Sequence, residues 1–500
     1  MLSTPDLIIV AAYILAMTLF GLWFTNKQKD RKAYFVGDRN VGWFLVLISI
    51  VATETSAVTF LSVPGLVFGA DASKANFTFL QLSIGYIIGR CVVAWFLLPQ
   101  YMNGELFSAY EVLRQRFNPA VQRVASGLFL FTRTIADGLR IFLTALLLRY
   151  VGISVIEAVL LVGFVTIVYT YLGGMKAVLW TDLIQFGIKI AGAALAGYFA
   201  IDLLPGGWNQ LVADGTATGK FTMWNFSFDP ANDSTLWAGV LGGAVFSMAS
   251  HGADQLMVQR YLCARSLYDA RLALVLSGFM IFVQFALFLT VGVGMFVLWK
   301  TGGFPELGND FKPDQVFSAF IVNKLPIGIR GLLVAAVLAA AMSTLSSSLN
   351  SSANAFVTDF YRPLRPNKDE RWYVLLSRIM TVVWGFAQMG VAIIAYEFGG
   401  SESIVKKVLG VAGMTMGLLL GLFILGSVKK PVRSQAAIWG LIVGFFVVLS
   451  VWLPGQLGTP ILAWPWFAPV GAGTTVVVAL LVNGCFRTDG PAAAPRHGSP

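Results

Sequence analysis

A dense run of hydroxyl groups, A-A-A-M-S-T-L-S-S-S-L-N from Ala339 to Asn350, lies within a segment otherwise apolar enough for a bilayer. Ser343, Ser346 and Ser347 fall at i, i+3 and i+4 and share one helix face, with Thr344 on its edge. Such a face offers several neutral oxygens to one small cation. Small residues also let membrane helices approach closely, and serine bonds back to its own helix. The spacing alone leaves both readings open.

Carboxylates in other apolar runs call for partners. Glu54 sits about thirteen residues into its run, roughly 20 Å deep at about 1.5 Å per residue. Pro64 removes a backbone donor and Gly65 adds freedom, so the sequence predicts a broken helix there, with backbone carbonyls exposed at the depth of Glu54. A proline kink with a neutral, structural Glu54 is the simpler alternative. Asp182 lies two turns inside its run, where an unpaired carboxylate costs about 2.5 kcal/mol or more. It therefore needs a cation. Lys189, seven residues on, lies about 10 Å away along the axis, which predicts no direct pairing. Asp137 and Arg140, three apart, either neutralise each other or meet a solute. His251 and Asp254 interrupt an apolar pattern at Gly252, which predicts a second broken helix. With only two histidines in the chain, a zinc centre is not expected. No nucleophilic triad, phosphate loop or metalloprotease motif is present, and no enzyme is implied.

The elements that hold these residues are membrane helices. The 500 residues are 57% hydrophobic and 12% charged, with a mean hydropathy of +0.74. Soluble domains carry about 25% charged residues, so an all-α polytopic membrane protein is expected. The first run, Leu7 to Phe24, is followed by Lys27, Lys29, Arg31 and Lys32, which marks a retained helix and not a signal peptide. Further spans are expected at about 41–69, 78–103, 122–149, 152–171, 177–204, 236–259, 268–299, 328–360, 372–397, 403–427, 434–453 and 462–485, about thirteen in all. Basic residues gather in alternate loops, which places the N-terminus outside and the C-terminus in the cytoplasm. The net charge of +10 then reflects retained loops and implies no nucleic acid. Cys91, Cys263 and Cys485 suggest no disulfide framework. The tail 486–500 reads as disordered.

Three segments in order, A-T-E-T-S-A-V-T-F (52–60), G-G-M-K-A-V-L-W-T-D-L-I-Q (173–185) and G-L-L-V-A-A-V-L-A-A-A-M-S-T-L-S-S-S-L-N-S (331–351), resemble the sodium/solute symporter family, which includes bacterial sodium-coupled sialic acid and galactose transporters. The resemblance runs to about residue 430. It implies a LeuT-like fold of two inverted five-helix repeats, 41–204 and 236–427, joined by an outer loop (205–235). One helix and a cytoplasmic loop (1–40) precede them, and two helices (428–485) follow.

The same resemblance implies a main sodium site on the carbonyls of Ala52, Thr55 and Ala340 with the side chains of Ser343 and Thr344. It implies a second site on Asp182, Ser343, Ser346 and Ser347. Where sugar-transporting relatives place Gln, Glu, Asn and Lys, this chain has Thr59, Ser83, Ile135 and Ile281, so galactose-like recognition is not expected. A carboxylate-binding arginine of the sialic acid transporter aligns near Ile135 or Ala136, with Arg140 a turn further on. Candidate solute contacts are Glu54, Thr59, Ser83, Asp137, Arg140, His251 and Asp254. The expected protein is a monomeric sodium-coupled importer of a small polar solute in the inner or plasma membrane. A proton-coupled carrier using Glu54 or Asp182, or a transporter-like sensor, are the rivals.

Overall fold

A hydrocarbon layer offers no hydrogen bonds, so a chain this apolar must satisfy its backbone within each segment, and helices do so. The computed structural model describes residues 2–23, 31–68, 75–102, 106–150, 152–307, 311–397, 404–428 and 431–485, and these contain helices and no strand. The expected disorder of the tail 486–500 falls outside the described residues.

The long helices are α1 (Thr4–Leu22), the pair α2 (Trp43–Glu54) and α3 (Ala57–Ser62), α4 (Leu80–Val92), α5 (Pro119–Tyr150), α6 (Val155–Asp202), the pair α7 (Gly243–Gly252) and α8 (Gln255–Leu262), α9 (Leu267–Lys300), α10 (Ile329–Ala355), α11 (Glu370–Glu397), α12 (Ile404–Ser427), α13 (Ser434–Gln456) and α14 (Phe467–Cys485). Among the described residues nine helices are long and apolar enough to cross a membrane, or ten when the bent pair beginning at Trp43 is one span. The other three expected spans fall below that measure for visible reasons. Helix α5 carries Arg123, Arg133, Asp137, Arg140 and Arg149, the apolar part of α6 before its bend is short (Val155–Tyr171), and α7–α8 is broken.

Helix α6 is continuous in hydrogen bonding but turns at Gly174, whose φ of 58° suits a residue without a Cβ. The bend separates two runs where the hydropathy pattern predicts separate spans. The first broken helix differs in detail from expectation. The break falls at Thr55 and Ser56, with a 61° bend, and not at Pro64 and Gly65. Pro64 opens the short 3-10 turn Pro64–Val67, a position where its missing N–H costs nothing. The second break falls after Gly252, as the sequence predicts, and Asp254 caps α8 by accepting from Leu256 N at 2.9 Å.

Helix α10 is the axis of the bundle. It packs against α1, α2, α5, α6, α8 and α11, and Ala339 through Ala355 are buried. Its first turn would leave backbone N–H groups unpaired. Asp6 of α1 supplies the acceptor, taking the N–H of Gly328 at 2.8 Å and of Gly331 at 2.9 Å. The two broken helices are tied at one end by a short parallel bridge between Val41 and Ala264. Thus the hydroxyl stripe of α10 faces both the break in α2–α3 and the second half of α6.

Candidate functional site

Ending a helix at Glu54 leaves its last carbonyls without partners from the next turn. Three of them are met by side chains. Thr344 Oγ1 donates to Thr53 O at 2.9 Å. Lys189 Nζ donates to Ala52 O at 2.6 Å and to Thr55 O at 3.3 Å. Thr55 Oγ1 is itself held by Gln284 at 2.7 Å. Thr344 also bonds to Ala340 O at 3.2 Å. Ala52, Thr55, Ala340 and Thr344, four of the five residues expected at a main sodium site, are therefore drawn into one locus with the amine of Lys189 among them, while the Ser343 hydroxyl turns to Asp182. The 10 Å offset that separates Lys189 from Asp182 along α6 is what lets it reach this break instead.

Asp182 stands beside that locus, fully buried, and is not the unpaired carboxylate the sequence suggests. Arg260 of α8 brings Nη2 to 3.5 Å from Asp182 Oδ2. Ser49 donates to Oδ2 at 2.5 Å and Ser343 to Oδ1 at 2.6 Å. Arg260 also donates to Ser347 Oγ at 2.5 Å, to Leu256 O at 2.5 Å and to Thr53 Oγ1. Arg260 falls within a loop on the sequence pattern, but α8 carries it into the interior, where it is 1% exposed. Ser346 departs from expectation as well. Its hydroxyl donates to Ser343 O at 3.1 Å, within its own helix, in place of Asp182.

Between the two breaks lies a partly open cavity lined by Glu54, Thr59, Arg133, Arg140, His251 and aromatic side chains including Phe79, Tyr86, Phe246 and Phe285. Glu54 is an ion-pair partner of Arg90, whose Nη2 lies 2.6 and 2.5 Å from its two oxygens while Nη1 donates to Ser277 at 2.6 Å. His251 Nε2 is 3.6 Å from Glu54, and its Nδ1 meets Ser250 at 2.9 Å. Asp137 is paired with Arg140 and lies 3.7 Å from Arg133, and Arg133 is also bonded to Asp254.

Three candidates stand apart from the cavity wall, and the first, Asp137, lines a smaller pocket with Ser56 and Arg140. Ser83 donates to Leu80 O of its own helix at 2.8 Å, and Asp254 is buried in its cap and ion pair. The cavity instead takes Arg133, two residues before the position where the resemblance aligns an arginine. Arg90 and Arg133 were not singled out by sequence because each lies in an apolar helix without a nearby acidic neighbour on α4, or with one already matched on α5. The costs of midplane charge were the available signal.

The match to the sodium:solute symporter family extends over residues 34–444. The chain belongs to that family. It is 30% identical over 464 residues to the human sodium-coupled monocarboxylate transporter 1, an alignment that covers 91% of this chain and 74% of that one. It is 29% identical over 458 residues to the sodium/sialic acid symporter NanT of Aliivibrio fischeri, covering 90% and 88%. A solved structure of a Na+-coupled sialic acid symporter, substrate-bound and outward-open, superposes with a TM-score of 0.85 at 27% identity, covering 97% of this chain and 98% of the other. The chain is accordingly a membrane transporter that couples sodium to the symport of a small organic solute, and not an enzyme.

Proposed function

We propose that the chain imports a small carboxylate together with two sodium ions, by alternating access about the two helix breaks. The observation that carries the solute class is the cavity wall, which Arg133 and Arg140 line together with aromatic side chains and Thr59. Arg140 Nε and Arg133 Nε have no hydrogen-bond partner among the described residues. Arg90, Arg133 and Arg140 balance Glu54, Asp137 and Asp254, so an anionic solute would leave this region net negative. Cotransported sodium offsets that charge. The solutes named for the two relatives, monocarboxylates and sialic acid, are both carboxylic acids.

The main sodium ion is assigned to the carbonyls of Ala52, Thr55 and Ala340 with Ser343 and Thr344, and the second to Asp182, Ser343, Ser346 and Ser347. Both sets bring oxygen ligands suited to a hard cation. About thirteen crossings in two inverted repeats, 41–204 and 236–427, with 1–40 before, 205–235 between and 428–485 after, complete this reading. The N-terminus lies outside, the C-terminus is cytoplasmic, and the protein acts as a monomer in a plasma or inner membrane. Supporting the repeat, each bent pair, α2–α3 and α7–α8, opens one of these units.

Thermal stabilisation of the purified protein by a panel of monocarboxylates, sugar acids and neutral sugars, with and without sodium, tests the proposal. A carboxylate should stabilise more in sodium than in choline, since two ligands coupled to one state reinforce each other. Arg140→Gln should remove that response. Stabilisation by neutral sugars alone would overturn the carboxylate reading.

A further inference from the structure

Lys189 is fully buried in the second half of α6, at 0% exposure, and no acidic side chain lies within ion-pair distance among the described residues. A lysine at that depth is costly unless its donors are used. Its amine is satisfied by Ala52 O at 2.6 Å and Thr55 O at 3.3 Å, the two carbonyls freed by the α2–α3 break on that side. These are the backbone oxygens assigned to the main sodium ion. The remaining ligands of that set are turned elsewhere. Thr344 Oγ1 bonds to Thr53 O and Ala340 O, and Ser343 Oγ points to Asp182. An amine nitrogen at 2.6 Å from Ala52 O takes one lone pair of that oxygen, and a sodium ion on the other would stand close to a like charge in a buried site.

We propose that Lys189 is a tethered stand-in for sodium at the main site: its amine and the ion alternate on the carbonyls of Ala52 and Thr55, and sodium enters only as the side chain withdraws. The lysine then sets the apparent sodium affinity, because the ion competes with a donor whose effective concentration is high by attachment. It also clamps α6 to the broken helix when no ion is present, so the break does not stand open with unpaired carbonyls. The inference rests on the assignment of sodium to this site.

The test uses the purified full chain and sodium alone, read as thermal stabilisation in sodium chloride against choline chloride at constant chloride. Lys189→Met should lower the sodium concentration for half the effect at least tenfold. Lys189→Arg, which keeps a donor of similar reach, should stay within about threefold of wild type. Should the methionine variant not fold, Lys189→Gln, neutral and shorter, is scored in the same way. A neutral variant with unchanged or weaker sodium affinity overturns the proposal. Thr344→Ala separates its failure from that of the site: a sodium response lost in Thr344→Ala but unaltered in Lys189→Met leaves the site standing and removes the competition. A response untouched by Thr344→Ala removes both.

Discussion

At the scale of single residues, the site is a set of buried charges whose worth depends on their partners. Asp182 and Arg260 are 0% and 1% exposed at 3.5 Å. Breaking such a pair from one side costs about 3–5 kcal/mol, because the survivor is left charged in a dry interior. Arg260→Met should therefore lower the unfolding temperature sharply, and added sodium should restore part of the loss if the ion can take the place of the guanidinium beside Asp182. Equal destabilisation with and without sodium would mark Asp182 as purely structural. Glu54 and Arg90 make a second such pair, 2.5 Å apart. Glu54→Gln should destabilise by about 3 kcal/mol and Glu54→Leu with Arg90→Met should recover most of it, measured by thermal unfolding. A Glu54→Gln variant of normal stability but altered solute affinity would instead place Glu54 on the solute. The carboxylates were legible in the sequence because depth alone makes them expensive. Apart from the local pair of Asp137 with Arg140, their partners were not. Lys189 and Ala52 are 137 residues apart, and Asp254 meets Arg133 across 121, distances over which one sequence gives no pairing signal.

At the scale of elements, the apolar runs and the polar residues that interrupt them locate most helices and the second break, while the first break moves by about two and a half turns of chain from its expected place. The reason is that Pro64 at the start of a turn asks little of the backbone, whereas Thr55 and Ser56 can leave helical geometry because Lys189 takes the carbonyl of Thr55 and the N–H of Phe60 takes that of Ser56. Gly65 has a different role, since a Cβ there would stand 2.0 Å from Pro313 O. Gly65→Ala should cost about 1–3 kcal/mol through overpacking, and Pro64→Ala should cost less than about 1 kcal/mol. Thermal unfolding of the two variants checks the order. If Pro64→Ala is the more damaging, the proline shapes the break after all.

At the scale of the whole molecule, the charge moved per cycle decides what the gradient can do. The arginines and carboxylates around the cavity cancel, so the net charge crossing is that of the solute plus the ions. One sodium with a monocarboxylate is electroneutral. Two carry a net positive charge inward, and about 100 mV, inside negative, then adds roughly 2.3 kcal/mol, enough for nearly fiftyfold more accumulation. In proteoliposomes clamped with a potassium gradient and valinomycin, wild-type uptake of a stabilising carboxylate should accelerate as the interior becomes more negative and should rise sigmoidally with sodium. Asp182→Asn removes the only carboxylate of the proposed second sodium site, so it should flatten the sodium curve toward one ion and abolish the response to potential while uptake of the same solute persists. Wild-type uptake that ignores the potential, with a sodium dependence that is already hyperbolic, would leave one coupling ion and assign Asp182 to the support of Arg260.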